Sequence, residues 1–336
     1  MSYQNFRLAW LKAIRGKRKK SSVLLFNRDV DSNLEKIKAR FQSENPGWGN
    51  YRSFTITDPK KRIITAAPFS ERIMHHAIMN ILEPLFERKF IYHSYACRKG
   101  KGTHAAVLQA FHLAKAGGYF LKLDVRKYFD SIDHIVLKSQ LSRILKDKKI
   151  LHQLFLLIDS YHTLPGKGVP IGNLTSQYFA NLYLSCLDHY ILEQLKPTGY
   201  VRYMDDFVLW HADKQVLKTM FASVEVYSKN NLNLELKLPV FGRTVQGLPF
   251  LDFLIKKSGI FILRKSKRRM TARVKEIQLD ITAGNISEEQ AAARANSVNA
   301  AVLIARCLSF RGKLWQGSGF GHEPRETRRQ LEQQCV

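Results

Sequence analysis

Two adjacent carboxylates, Asp205 and Asp206, interrupt the apolar and aromatic run YVRYMDDFVLW at residues 200–210. Like charges repel, and burying a carboxylate without a partner is costly. Three arrangements accommodate such a pair: a hairpin turn whose acids face water, a structural ion pair with a basic neighbour such as Arg202, or a metal site whose cation cancels the repulsion. A third acid, Asp124, ends GYFLKLDV (118–125), which has the make-up of a buried strand. Pairing of that strand with the hairpin would bring Asp124 to Asp205. Adjacent strand residues point to opposite faces. The expected direct ligands are therefore Asp124 and one of the Asp205–Asp206 pair, with the other acid at the edge of the site and Val125 counted beside the ligands. An N-cap or a surface ion pair is the plainer role for Asp124. Oxygen ligands of this kind suit two Mg²⁺ ions, with Mn²⁺ as a substitute, each keeping waters and accepting substrate phosphates. Two such ions, roughly 3.5–4 Å apart, activate an attacking 3′ hydroxyl and stabilise leaving pyrophosphate. Phosphoryl transfer needs little beyond such positioning and charge neutralisation.

The elements around the acids read as mixed α/β. Residues 133–160 are expected to be helical with a break near KDKK. A second helix follows Gly172, with apolar positions at Ala180, Tyr183, Leu184, Leu187, Ile191 and Leu195, and ends at Pro197 and Gly199. YVRYM and FVLWH form the two arms of a hairpin. Residues 213–229 read as helix and LNLELKL as an alternating strand. GLPFLDFLIKKSGIFIL reads as a hairpin turning at Lys257-Ser258-Gly259. The Ala-rich stretch from Ser287 to Leu308 reads as helix, with Ser287 as N-cap and Gln290 in the capping-box position. This order predicts an α+β layer: a mostly antiparallel sheet with helices on one face.

The chain has 336 residues, of which 45% are hydrophobic, enough for a sizeable core. Lys and Arg number 54 against 28 acids, a net charge of +26. Such an excess favours a polyanionic partner, nucleic acid first. It is clustered: KAIRGKRKK at 12–20, RKGKG at 98–102, RKSKRR at 264–269 and RETRR at 325–329. Several clusters in one chain fit a surface that tracks a phosphate backbone. No apolar run approaches the ~20 residues of a membrane span, so no membrane partner is expected. Cys97, Cys186, Cys307 and Cys335 lack CxxC spacing, which argues against a zinc site or a disulfide framework. A cytoplasmic location is expected, bacterial or phage-encoded. There the sequon-like Asn173-Leu174-Thr175 and Asn285-Ile286-Ser287 have no meaning as glycosylation signals.

Three segments carry a resemblance. FLKLDVRKYFDSIDH, GVPIGNLTSQYFANLYLS and YVRYMDDFVL resemble, in order, the A, B and C motifs of reverse transcriptases, and residues 62–107 resemble the preceding finger blocks. The resemblance covers about residues 50–260. It implies a right-hand polymerase: a basic N-terminal extension at 1–50, fingers at 51–118, a palm at 119–256 and a helical thumb with a basic tail at 257–336. The B segment, 162–180, lies on the fingers side. The form Ile171-Gly172-Asn173-Leu174-Thr175-Ser176-Gln177 resembles the reverse transcriptases of diversity-generating retroelements. Members of that family copy a template-repeat RNA with frequent errors at adenines, for mutagenic retrohoming. Retron-type and group II-type enzymes usually carry Gln before that Gly. They remain alternatives, as does a non-catalytic RNA-binding protein. Phe250-Leu251-Asp252 departs from the family's Phe-Leu-Gly.

The resemblance also implies roles. Asp124 and Asp205 hold metal, and Asp206 accompanies them as the third catalytic carboxylate. Phe129 is the aromatic that blocks a ribose 2′-OH, unless it is simply core. Ile171 and Gly172 lie where the incoming nucleotide meets the templating pair, with an apolar helix lead-in as the alternative for Ile171. Lys61 and Arg62 clamp the triphosphate. Lys237 gives a proton to pyrophosphate, or is a surface strand lysine. Arg98 and Gln177 lie near template; a solvated loop cation is the alternative for Arg98. Lys17, Arg18, Lys19 and Lys20 touch RNA or a partner protein. His75 and His76 are expected to pack or to contact backbone. The implied partners are template RNA, the RNA–cDNA duplex, dNTPs and a small basic accessory protein that forms a helical ring.

Overall fold

The computed structural model of the chain describes residues 1–57 and 61–316. The basic run at 325–329 and Cys335 lie outside the described residues. Two compact units are present, one from residues 1–109 and 118–242, the other from 110–117 and Arg243 onward.

The first unit opens with α1 (Tyr3–Ala13), α2 (Ser21–Phe26) and α3 (Val30–Gln42). These helices are folded into the core. Phe6, Ala9 and Ala13 of α1 are buried and pack on α4 (Phe69–Glu87), while Arg18, Lys19 and Lys20 stay exposed in and beside the α1–α2 turn. Between α3 and α4 runs an antiparallel pair, β1 (Arg52–Ile56) and β2 (Arg62–Ala66). After α5 (Thr103–Lys115) comes β3 (Tyr119–Asp124), then the short α6 (Tyr128–Ser131). The predicted break near KDKK separates α7 (His134–Ile144) from α8 (Lys148–Asp159). Asp147 there caps α8 by accepting the Lys149 and Ile150 N–H groups. Then come α9 (Leu174–Tyr190), a π-helical turn (Ile191–Leu195), β4 (Gly199–Tyr203), β5 (Asp206–His211), α10 (Lys214–Leu232) and β6 (Val240–Arg243).

The sheet order is β4-β5-β3-β6, and β5 pairs antiparallel with both β4 and β3. This is the expected hairpin-on-strand layer. Leu121, Leu123, Phe207 and Leu209 join α9 residues such as Leu184 and Leu187 in one apolar core. LNLELKL is not the alternating strand expected. Leu232 closes the last turn of α10 with its side chain buried, and Asn233 caps that helix at φ 51. Of the rest, Leu236 makes one isolated antiparallel bridge to Val125. Leu232 and Leu234 are both buried, so the two-residue alternation here marks packing against the core and not a sheet ladder.

The second unit carries the meander β7 (Leu248–Phe250), β8 (Phe253–Lys256) and β9 (Gly259–Ile262). One of its turns is the predicted Lys257-Ser258. The other, Leu251-Asp252, has φ 46 and 74, the left-handed pair of a tight hairpin turn. Asp tolerates that region better than most residues. Its carboxylate also accepts from Ser266 Oγ at 3.0 Å and Arg269 Nη2 at 2.8 Å, both on α11 (Arg264–Thr282). The predicted Ala-rich helix is α12 (Glu288–Ala300), with the Ser287/Gln290 capping box formed. It stops eight residues short of Leu308, where α13 (Leu308–Trp315) begins.

Candidate active site

Asp124 ends β3 directly opposite Asp206, the first residue of β5. Directly opposed residues share a face, so Asp124 and Asp206 lie on one side of the sheet. Asp205 stands in the two-residue turn before β5. Its carbonyl accepts the Val125 N–H at 3.3 Å, which ties the turn to the end of β3. Burial, and then the Asp124 charge, raise the Asp205 pKa, against the pull of Lys237 and Arg62. Burial pushes Asp206 up to about 6, even with Lys122 Nζ 3.0 Å from its Oδ2. Its other oxygen, Oδ1, is buried and makes no hydrogen bond. Lys237 Nζ donates to Asp124 Oδ1 at 2.6 Å, and the Lys237 N–H to the Asp124 carbonyl at 2.8 Å.

Among the described residues no group of three or more His, Cys, Asp or Glu is gathered as a metal cage. Mg²⁺ does not require one, since it binds through one or two carboxylates and takes the rest of its shell from water and substrate phosphates. The raised Asp205 and Asp206 and the unpartnered Asp206 oxygen fit a cation-binding role for this end of the sheet.

The ion-pair reading of the acids does not hold for Arg202. Its guanidinium is fully buried and meets Asp188 of α9, with Nη2 2.6 Å from Asp188 Oδ2. Asp206 takes Lys122 instead, two residues before Asp124 on the same face of β3. The Arg202–Asp188 pair has a sequence signal: each is a lone charge in an apolar run, CLDHYIL and YVRYM.

The B segment docks on the fingers hairpin. The Ile171 carbonyl accepts the Thr65 N–H at 2.7 Å. Asn173, 2% exposed, accepts the Ala67 N–H at 2.9 Å and donates to the Thr65 carbonyl at 3.1 Å. Gly172 takes φ +119, and a Cβ there would stand 2.7 Å from Ile64 Cγ2. Asn173 is a residue that sequence reasoning passed over as a meaningless sequon. Its signal was an amide directly after a Gly at a helix start.

Of the other candidates, Arg62 begins β2 and its charge reaches Asp205. Lys61 is exposed. Lys127 at φ 43 turns the chain so that Tyr128 enters the core, its hydroxyl donating to the Ala180 carbonyl, while Phe129 stays part-exposed at the core's edge. Tyr128 thus fills the core position, and Phe129 packs at its edge. Phe129→Val is expected to raise the efficiency of rNTP use relative to dNTP use by about 10–200-fold. Single-nucleotide insertion with both sugars measures this, and an unchanged ratio would assign Phe129 to packing.

Arg98 is drawn inward rather than towards solvent. It pairs with Glu87 at 2.8 Å and donates to the Ile91 and Ser94 carbonyls, so its guanidinium organises the loop. Gln177 is half-buried in the first turn of α9. Lys17 is half-buried, and burial and Arg72 lower its pKa; Arg18, Lys19 and Lys20 are exposed. His75 packs 5.6 Å from Trp48, and burial lowers it to about 3.

The family model for reverse transcriptase (RNA-dependent DNA polymerase) matches residues 56–239. The putative COX1/OXI3 intron 2 protein of Saccharomyces cerevisiae is 25% identical over 174 residues, 49% of this chain and 19% of that protein. The group II intron-encoded protein LtrA of Lactococcus lactis subsp. cremoris is 26% identical over 141 residues, 40% of this chain and 23% of that protein. The chain therefore spans only about a fifth of the length of these curated relatives. A solved structure of telomerase from Candida tropicalis with a TWJ fragment of telomeric RNA aligns with TM-score 0.49 and 13% identity, covering 81% of this chain and 55% of that one. Matched over more than half its length, through the segment that holds Asp124, Asp205 and Asp206, the chain belongs to the reverse transcriptase family.

Proposed function

We propose that this chain is an RNA-directed DNA polymerase of the diversity-generating type, which copies a template-repeat RNA into cDNA with errors concentrated at adenines. The observation that carries the polymerase reading is the meeting of Asp124, Asp205 and Asp206 at one end of the sheet, with Lys237 and the charge of Arg62 beside them. Asp124 and Asp205, with Val125, would hold Mg²⁺ or Mn²⁺, which supplies charge neutralisation for the attacking hydroxyl and the leaving pyrophosphate. Arg62 would bind triphosphate, and Lys237 would neutralise or protonate pyrophosphate. Phe129 would stand against a 2′-OH. Residues 51–118, 119–256 and 257 onward would serve as fingers, palm and thumb, with template RNA, the RNA–cDNA duplex and a small basic accessory protein as partners. No helix among the described residues is long and apolar enough to cross a membrane.

The diversity-generating assignment rests on Ile171 and Gln177. A glutamine at 171 would hydrogen-bond near the nascent pair, whereas isoleucine has neither donor nor acceptor. The lost bond is worth about 0.5–1.5 kcal/mol, which slows correct insertion by a few-fold to about tenfold. Wrong insertions that never used the bond lose less, so discrimination shrinks. Ile171→Gln is expected to raise insertion efficiency and to lower misincorporation opposite template adenine more than opposite other bases. Insertion kinetics on four templates differing in the templating base measure this; equal adenine error ratios in parent and variant would contradict it. A group II-type reading is favoured by the intron-encoded relatives. Sequencing cDNA made on a mixed-sequence RNA separates the two, since that reading predicts errors without the adenine bias.

A further inference from the structure

The peptide planes on both sides of Asp205 are tied down, and one of the ties comes from a buried charge. Met204 takes φ 57, a left-handed conformation that costs an ordinary side chain energy in the absence of outside support. Its carbonyl, which lies in the peptide plane leading to Asp205, accepts from Arg202 Nη1 at 2.9 Å. The carbonyl of Asp205 itself accepts the Val125 N–H at 3.3 Å.

The guanidinium is in turn held rigidly. Nε donates to Asp188 Oδ1 at 2.7 Å and Nη2 to Asp188 Oδ2 at 2.6 Å. Nη1 also reaches Asn181 Oδ1 at 3.1 Å, and the Tyr200 hydroxyl donates to Asp188 Oδ1 at 2.7 Å. Arg202 and Asp188 are both 0% exposed. The Arg202 main chain is fixed as well. Its N–H donates to the His93 carbonyl and its carbonyl accepts the Tyr95 N–H, each at 2.9 Å. A bidentate Arg–carboxylate pair with every arm bonded has one geometry, which a flexible ammonium cannot reproduce.

We infer that Arg202, braced by Asp188 and Asn181, is a positioning residue for the reaction: it holds the Met204–Asp205 peptide so that the Asp205 carboxylate faces Asp124. The inference rests on the polymerase reading above and adds to it a specific part for the buried pair. A stability role alone would require only the Asp188 contact. The additional arm to Met204 is aimed at the turn that carries the acid.

The test uses two variants of the full chain beside the parent. Arg202→Lys keeps a cation for Asp188 and loses the arm to Met204. The double variant Arg202→Met/Asp188→Leu removes both buried charges together, an exchange that buried pairs often tolerate. Single-turnover insertion on an RNA template is expected to slow by about 10–100-fold in each folded variant, the range that a misplacement of about 1 Å produces. The Kd values for duplex and dNTP should stay near the parent's. Hydrogen–deuterium exchange across residues 199–211 should quicken, a readout independent of turnover. A folded variant with parental rate and parental exchange would overturn the inference. So would loss of fold in both variants, which would assign the network to stability alone. A parent that inserts nothing while folded would instead count against the polymerase reading.

Discussion

Asp205→Asn is expected to reduce Mg²⁺-dependent dNTP incorporation by at least about 10³-fold, the equivalent of some 4 kcal/mol of lost transition-state stabilisation, while the protein keeps its fold and its RNA affinity. The substitution preserves shape and removes one charge. That charge is already disfavoured in the folded chain, since burial and Asp124 both raise the Asp205 pKa. Thermal stability should therefore be equal or slightly higher, because a repulsive neighbour of Asp124 is gone. Primer extension and RNA binding by anisotropy, run on the same preparation, give the two halves of the result. Activity within tenfold of the parent in a folded variant would remove Asp205 from the metal site.

Gly172→Ala is expected to lower kcat/KM for dNTP by about 10²-fold with the fold and duplex binding largely retained. At φ +119 an L side chain is strained by about 1–3 kcal/mol. The new Cβ would also press on Ile64 Cγ2 from 2.7 Å. Relief requires the B segment to move off β2, and that loosens the Thr65 and Asn173 hydrogen bonds that join the two. The shift displaces Ile171 and Arg62 together. Insertion kinetics measure the effect, and unchanged efficiency would show that the close approach of Gly172 to Ile64 has no part in nucleotide binding.

The residues that proved easiest to read in sequence were those whose surroundings are local. Asp124 at a strand end and the YMDD hairpin arms suggested the β3–β5 pairing, whose register sets Asp124 opposite Asp206 rather than Asp205. Ser287 with Gln290 marked the start of α12, since a capping box is complete within four residues. The elements that misled depend on distant partners. LNLELKL alternates like a strand, but Leu232 is claimed by the core beneath α10. Arg202 is three residues from Asp205 in sequence, yet it pairs with Asp188 on a helix packed under the sheet. Asn173 bonds to main-chain groups more than one hundred positions away. Arg98, in a visibly basic loop, turns back to Glu87. In each case the deciding contact crosses between elements, and no window of sequence contains both sides of it.

Primer extension by the unmodified chain on an RNA template, with Mg²⁺ titrated against a chelator, tests most directly whether these acids carry polymerase chemistry. The expected result is dNTP-dependent extension that rises with Mg²⁺, disappears on chelation and is absent in Asp124→Asn at every Mg²⁺ concentration. A chain that binds the RNA and its primer firmly but adds no nucleotide, with Mg²⁺ or with Mn²⁺, would contradict it and mark the protein as an RNA-binding relative without the chemistry.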